Sequence, residues 1–166
     1  MSGVIAEKVF QAVNTVESLY YKLVLIAGKP RSGKTTIINE AAAAFEAGVV
    51  NTSLELARSL LDLTPKQRVL RLPELFENLV GRSDKPVFLD NIELIFDKNL
   101  KQDPLRLLQQ VAHAQIMVVT WPGEIRAGRL IYAEANHHEY RSYEMADLVV
   151  VQLESGNDTN SGEAYS

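Results

Sequence analysis

YKLVLIAGKPRSGKTTIINE, residues 21–40, passes from an apolar run through a glycine-framed loop into a helical pattern. Lys22 to Ala27 is almost continuously apolar, the composition of a strand buried on both faces of a parallel sheet. Gly28, Lys29, Pro30, Arg31, Ser32, Gly33, Lys34 and Thr35 then fit G-x-x-x-x-G-K-[ST] at every position. The glycines let the backbone wrap a run of N–H groups around one point, where the positive end of the following helix also acts. The stretch predicts a site for a nucleoside triphosphate, ATP, with Mg2+. Lys34 is suited to the β- and γ-phosphates and the Thr35 hydroxyl to Mg2+, with Thr36 next on the helix N-terminus. The plain alternative is a flexible basic turn, which would not require a strand before it and a helix after it.

Composition bounds what this loop can belong to. At 166 residues, with 46% hydrophobic and 23% charged, the chain reads as one soluble globular domain. No apolar run approaches the roughly 18 residues of a membrane span, and no signal peptide opens the chain. Having no cysteine excludes disulfides and thiolate metal sites and fits a reducing cytoplasm. A net charge of −4 argues against a general nucleic-acid coat.

Apolar residues Val4, Ile5, Val9, Phe10, Val13 and Val16 recur at helical spacing, predicting a helix over 2–18. A helix from Thr35 to about Ala47 ends at Gly48, and a short strand follows at 49–51. Thr52 to Glu55 reads as a capping box for a helix ending near Leu61. Pro73 interrupts the next pattern, so 64–81 reads as irregular structure with a short helix from Pro73 to Val80. Strands are expected at 86–90, 115–120 and 147–151, with a helix opened by Asp103 and Pro104 between the first two. The alternation predicts an α/β domain over 1–153, a three-layer sandwich with a mostly parallel five-stranded sheet. Residues 154–166 have little to bury and are expected to be disordered.

Asp90 closes the apolar run from Val87, where a parallel sheet presents ligands to its crevice. It suits the Mg2+-holding aspartate of P-loop enzymes, against the plain alternative of a surface aspartate. ATPases of the AAA+ type usually place glutamate directly after it; here Asn91 can orient a water but cannot accept its proton. Glu93, a helical turn from Asp90, is therefore read as the water-activating carboxylate, against a solvated glutamate at a helix start. Thr120 ends its strand at the position of the AAA+ polar sensor, or merely finishes a β-strand, as threonine readily does. Arg126, Arg129 and Arg141 are candidates for an arginine over the developing charge, supplied by a neighbouring subunit in AAA+ proteins, though surface roles compete for each. His137-His138-Glu139 offers two adjacent histidines expected to point apart, which disfavours a metal site. Lys66, Arg68 and Arg71 read as a solvated basic loop.

GKPRSGKT, LDNIELIF, TWPG and LIYAEANHHEYRSY together resemble the BrxF family, the small P-loop protein of BREX-type phage-exclusion operons. In that family His-Pro-Glu-Tyr is expected where this chain has His137-His138-Glu139-Tyr140, directly before Arg141. The resemblance implies an AAA+/ASCE-like ATPase in the cytoplasm, working with other BREX components against phage, with DNA as an indirect target.

Two other classes compete. One is a nucleotide-gated binding module that grips ATP and scarcely hydrolyses it. The other is a small-molecule kinase, for which no acceptor-holding pair follows Asp90. A guanine reader is absent, since FDKNLKQD has its ingredients out of order. No C-terminal lid domain is expected after Val151, so an oligomer or complex is expected to complete the site.

Overall fold

The computed structural model of the chain describes residues 2–133, 137–154 and 164–165. Helix α1 (Ser2–Val16) precedes β1 (Leu23–Ala27), and α2 (Lys34–Ala44) follows the glycine-framed loop. Next come β2 (Val49–Asn51), α3 (Thr52–Leu60), α4 (Pro65–Val80) and β3 (Val87–Asp90). Single 3-10 turns at Glu93–Phe96 and Lys98–Leu100 lead into α5 (Pro104–Ala112) and β4 (Met117–Thr120). The chain continues through β5 (Gly123–Arg126), β6 (Arg129–Tyr132), β7 (Arg141–Glu144), β8 (Val149–Gln152) and β9 (Ala164–Tyr165).

The main sheet has the order β2-β3-β4-β1-β8-β9, parallel throughout except for the antiparallel edge pair β8–β9. It is the expected parallel sheet with one short addition. Strand β1 is buried along its whole length because it has a core on each face. Leu23, Leu25 and Ala27 pack with Leu56, Leu72, Phe76 and Leu108 of α3, α4 and α5. Val24 and Ile26 pack with Val9, Val13 and Ile38 of α1 and α2. Two cores on one sheet explain why its strands read as unbroken apolar runs.

Several expected boundaries move for identifiable reasons. Helix α2 ends at Ala44, not near Ala47, because Glu46 takes the left-handed conformation at φ 55°. The backbone N–H groups of Glu46 and Ala47 then close onto Ala43 and Ala42, leaving Gly48 outside the cap. Helix α3 is capped by Asn51, whose side chain accepts from Leu54 N at 3.2 Å, so Thr52 is its first residue and not its cap.

The larger correction is α4, a continuous helix through Pro73 where irregular structure is expected. Thr64 and Gln67 form a reciprocal capping box at its start. Pro73 cannot donate to the carbonyl of Val69, one turn back. Gln102 supplies the missing donor, its Nε2 lying 3.2 Å from Val69 O and 2.9 Å from Leu100 O. The basic cluster therefore belongs to a helix, where Arg68 Nε bonds Leu63 O at 3.0 Å and Arg71 pairs with Glu74.

Sequence periodicity also misses a second sheet, antiparallel, in the order β5-β6-β7. Ala127 and Gly128, at φ 53° and 75°, make a two-residue hairpin between Arg126 and Arg129. Of the segment expected to be disordered, residues 155–163 and 166 lie outside the described residues. Ala164 and Tyr165 pair with Val151 and Val150, occupying the open edge of β8. Among the described residues, no helix is long and apolar enough to cross a membrane.

Candidate functional site

The sheet register brings the polar strand ends together. Asn51 pairs with Asp90 across β2 and β3, and Ile26 with Thr120 across β1 and β4. The glycine-framed loop leaves the carboxyl end of β1, so it lies over the same edge. A cavity of about 360 Å³ there is lined by Lys34, Thr35, Asn51, Asp90, Asn91, Glu93, Thr120 and Pro122.

The loop is shaped by positions other side chains would not tolerate. Gly33 takes φ 98° and contributes no side chain to cap α2. A Cβ on Gly28 would lie 2.5 Å from Ser32 Oγ and 3.2 Å from Leu153 O. Arg31 also takes a left-handed conformation, at φ 64°. Lys34 folds back across its own loop, with Nζ 2.6 Å from Gly28 O and 3.3 Å from Lys29 O. Ser32 Oγ is buried without a partner among the described residues. An uncapped helix start, an orphaned hydroxyl and an ammonium held by carbonyls fit an anionic phosphate group.

Burial pushes the Lys34 ammonium below its ordinary pKa of 10.5, while the carboxylates of Glu93, Asp90 and Glu124 act in the opposite direction. Asp90 is held from three sides. Thr35 Oγ1 donates to Oδ2 at 2.9 Å, Thr120 Oγ1 to Oδ1 at 2.5 Å, and Asn91 N to Oδ1 at 3.0 Å. Thr35 and Asp90 thus offer the hard oxygen donors that Mg2+ takes.

Asn91 sits in a left-handed conformation at φ 58° and donates from Nδ2 to Asn51 Oδ1 at 2.9 Å. Its backbone oxygen accepts from Ser53 N at 2.8 Å, and Ser53 Oγ accepts from Leu94 N at 3.0 Å. This sharp reversal puts Glu93, the first residue of a 3-10 turn, at the cavity beside Asp90. Asn51 is a member of the site that the motifs do not single out; its signal is a polar residue ending the strand beside the aspartate strand.

A second cavity, of about 310 Å³, adjoins the loop and shares Pro122 with the first. Gly28, Lys29 and Pro30 of the loop line it together with Glu124, Arg126, Tyr132 and His137. The TWPG segment is part of this lining. Trp121 is fully buried and donates from Nε1 to Ile131 O at 3.0 Å. Gly28 N donates to Gly123 O at 2.8 Å, so β5 is bonded directly to the glycine-framed loop.

The three arginine candidates fall in different places. Arg126 lines this second cavity and pairs with Glu124 at 2.6 Å. Arg129 bonds Ser142 Oγ at 2.6 Å, and Arg141 bonds Gln102 O at 2.9 Å; both tie elements of the fold together. His137 and His138 stack at 4.6 Å and 19°, where divergent rings are expected. With Glu139 they bring ligand atoms within 4.8 Å of one another on a solvent-facing turn. The turn is stabilised by Glu139 N donating to His137 Nδ1 at 3.0 Å.

Neither protein-family models nor curated proteins give a match to the chain. Among solved structures it is similar to that of C. elegans PCH-2, with 14% identity and a TM-score of 0.43. The similarity covers 94% of this chain and 41% of that one, so the chain spans about two-fifths of that protein's length.

Proposed function

We propose that the chain is an ATP-binding and ATP-hydrolysing protein of AAA+/ASCE-like architecture. The observation that carries this is the triple hold on Asp90 beside the Lys34 loop. Strand β4 lies between the loop strand β1 and the aspartate strand β3, which places Thr120 between their ends. The residues of G-x-x-x-x-G-K-[ST] would hold the triphosphate, with Thr35 and Asp90 at Mg2+. Bound Mg2+ supplies charge neutralisation at the phosphates. Glu93 takes a proton from the attacking water, and Thr120 orients Asp90.

The resemblance at GKPRSGKT, LDNIELIF, TWPG and LIYAEANHHEYRSY supports a place in a BREX-type defence system. The chain would work in the cytoplasm as an oligomer or within a complex of other BREX components, with DNA touched indirectly. A second reading, a nucleotide-gated module with negligible turnover, is favoured by Asn91. No carboxylate follows Asp90 directly, and the Asn91 amide is already engaged by Asn51.

Binding is tested by thermal unfolding with Mg-ATP. At a hundredfold excess over Kd, about 2.7 kcal/mol of stabilisation is expected, several degrees in Tm. An unmoved Tm at millimolar Mg-ATP would overturn both readings.

A further inference from the structure

We propose that the β5–β6 hairpin is a built-in cover for the phosphate loop, and that Arg126 contacts the terminal phosphate of a nucleoside triphosphate bound to its own chain. The proposal rests on the nucleotide reading above and deepens it. It replaces a neighbouring subunit's arginine with one already in place.

Lys34 marks the end of the loop where the β- and γ-phosphates belong, because its ammonium is held at Gly28 O and Lys29 O. The cavity containing Arg126 is walled by those same two residues and Pro30. Pro122 lines both this cavity and the one around Asp90, so the two adjoin. Arg126 therefore lines a cavity walled by the two residues that hold the Lys34 ammonium and adjoining the cavity around Asp90.

The hairpin is fixed to that place by its backbone. Gly28 N bonds Gly123 O at 2.8 Å, Trp121 Nε1 bonds Ile131 O at 3.0 Å, and Ile125 N bonds Gln152 Oε1 at 3.2 Å. Glu124 steadies the guanidinium at 2.6 Å and is close enough to Lys34 to act on its charge. A guanidinium held on a rigid strand over a phosphate site is preorganised for a charge-assisted contact. Arg129 and Arg141 line neither cavity.

The test compares Kd for Mg-ATPγS and Mg-ADP, by calorimetry, in the wild type, Arg126→Ala and Arg126→Lys. Arg126→Ala is expected to weaken ATPγS about tenfold, the loss of one charge-assisted hydrogen bond, and to leave ADP within about twofold. Arg126→Lys, which keeps the charge without the fork, is expected to fall between. Adding excess Lys34→Ala protein, which carries Arg126 but lacks the phosphate-binding ammonium, is expected to restore nothing. Restoration would place the contact between chains, and an unchanged ATPγS-to-ADP ratio in Arg126→Ala would remove it; either overturns the proposal. A wild type that binds neither nucleotide overturns the nucleotide reading itself, and the proposal with it.

Discussion

Thr120 Oγ1, at the end of β4, donates to Asp90 Oδ1, at the end of β3, at 2.5 Å. Thr120 is 4% exposed, so this bond is shielded from water on the strand side. Thr120→Val keeps the shape and removes the donor. It is expected to lower stability by about 1.5 kcal/mol and to reduce turnover more than Mg-ATP affinity. Urea unfolding and phosphate-release assays check the two effects separately.

Glu93 borders the cavity beside Asp90 but accepts no hydrogen bond there among the described residues, so its removal disturbs little of the fold. Glu93→Gln is expected to retain Mg-ATP binding while turnover drops by at least about a hundredfold, the scale of general-base loss. Turnover retained in this variant would remove Glu93 from its assigned role.

The lowered pKa of Lys34 makes a signed statement about pH. Its folded value lies below the ordinary 10.5, so between the two values the unfolded chain carries more protons at this site. Stability contributed by Lys34 therefore rises with pH through that window, and the penalty is fully present below the folded value. Relative to Lys34→Met, the wild type is expected to gain stability as pH approaches 10.5. Parallel urea titrations from neutral to alkaline pH measure the difference; a flat difference contradicts the burial effect.

Gly123 has no room for a side chain, because a Cβ would fall on the Ile131 carbonyl and lie 2.9 Å from Trp121 Nε1. Gly123→Ala is expected to cost about 2 kcal/mol or more and to lift the hairpin from the loop. The chain has a single tryptophan, so Trp121 fluorescence reports this directly. An emission spectrum and Tm identical to wild type would contradict the docking.

Gln102 and Pro73 form a compensating pair through Val69 O. Gln102→Leu is expected to destabilise by about 1 kcal/mol by leaving that carbonyl without its donor. Pro73→Ala returns a backbone N–H to the helix, so the double variant is expected to lose less than Gln102→Leu alone. Additive losses would mean that the Gln102 bond is not the compensation.

The same pair shows where sequence was legible and where it was not. The loop from Gly28 to Thr35 was readable because its backbone demands are local and spelled out by the residues themselves. Strand β1 and the Asp103–Pro104 helix start were readable for the same reason. Helix α4 was not, because the rule that proline breaks helices is also local, while the rescuing Gln102 arrives from a distant turn. The β5–β7 sheet escaped because its strands are four residues long and mostly half-buried, without clean alternation. Its turn is Ala127-Gly128, not a stronger Asn-Gly signal. Asp90, Thr120 and Glu93 were each readable as candidates, but their convergence depends on strand order, which periodicity does not carry.

The most direct measurement is phosphate release from Mg-ATP by the purified chain, with Lys34→Ala and Glu93→Gln alongside. Hydrolysis at the loop–Asp90 site requires a wild-type rate above both variants, with ATP binding lost in Lys34→Ala and kept in Glu93→Gln. A wild-type rate no higher than that of Lys34→Ala would contradict hydrolysis at this site.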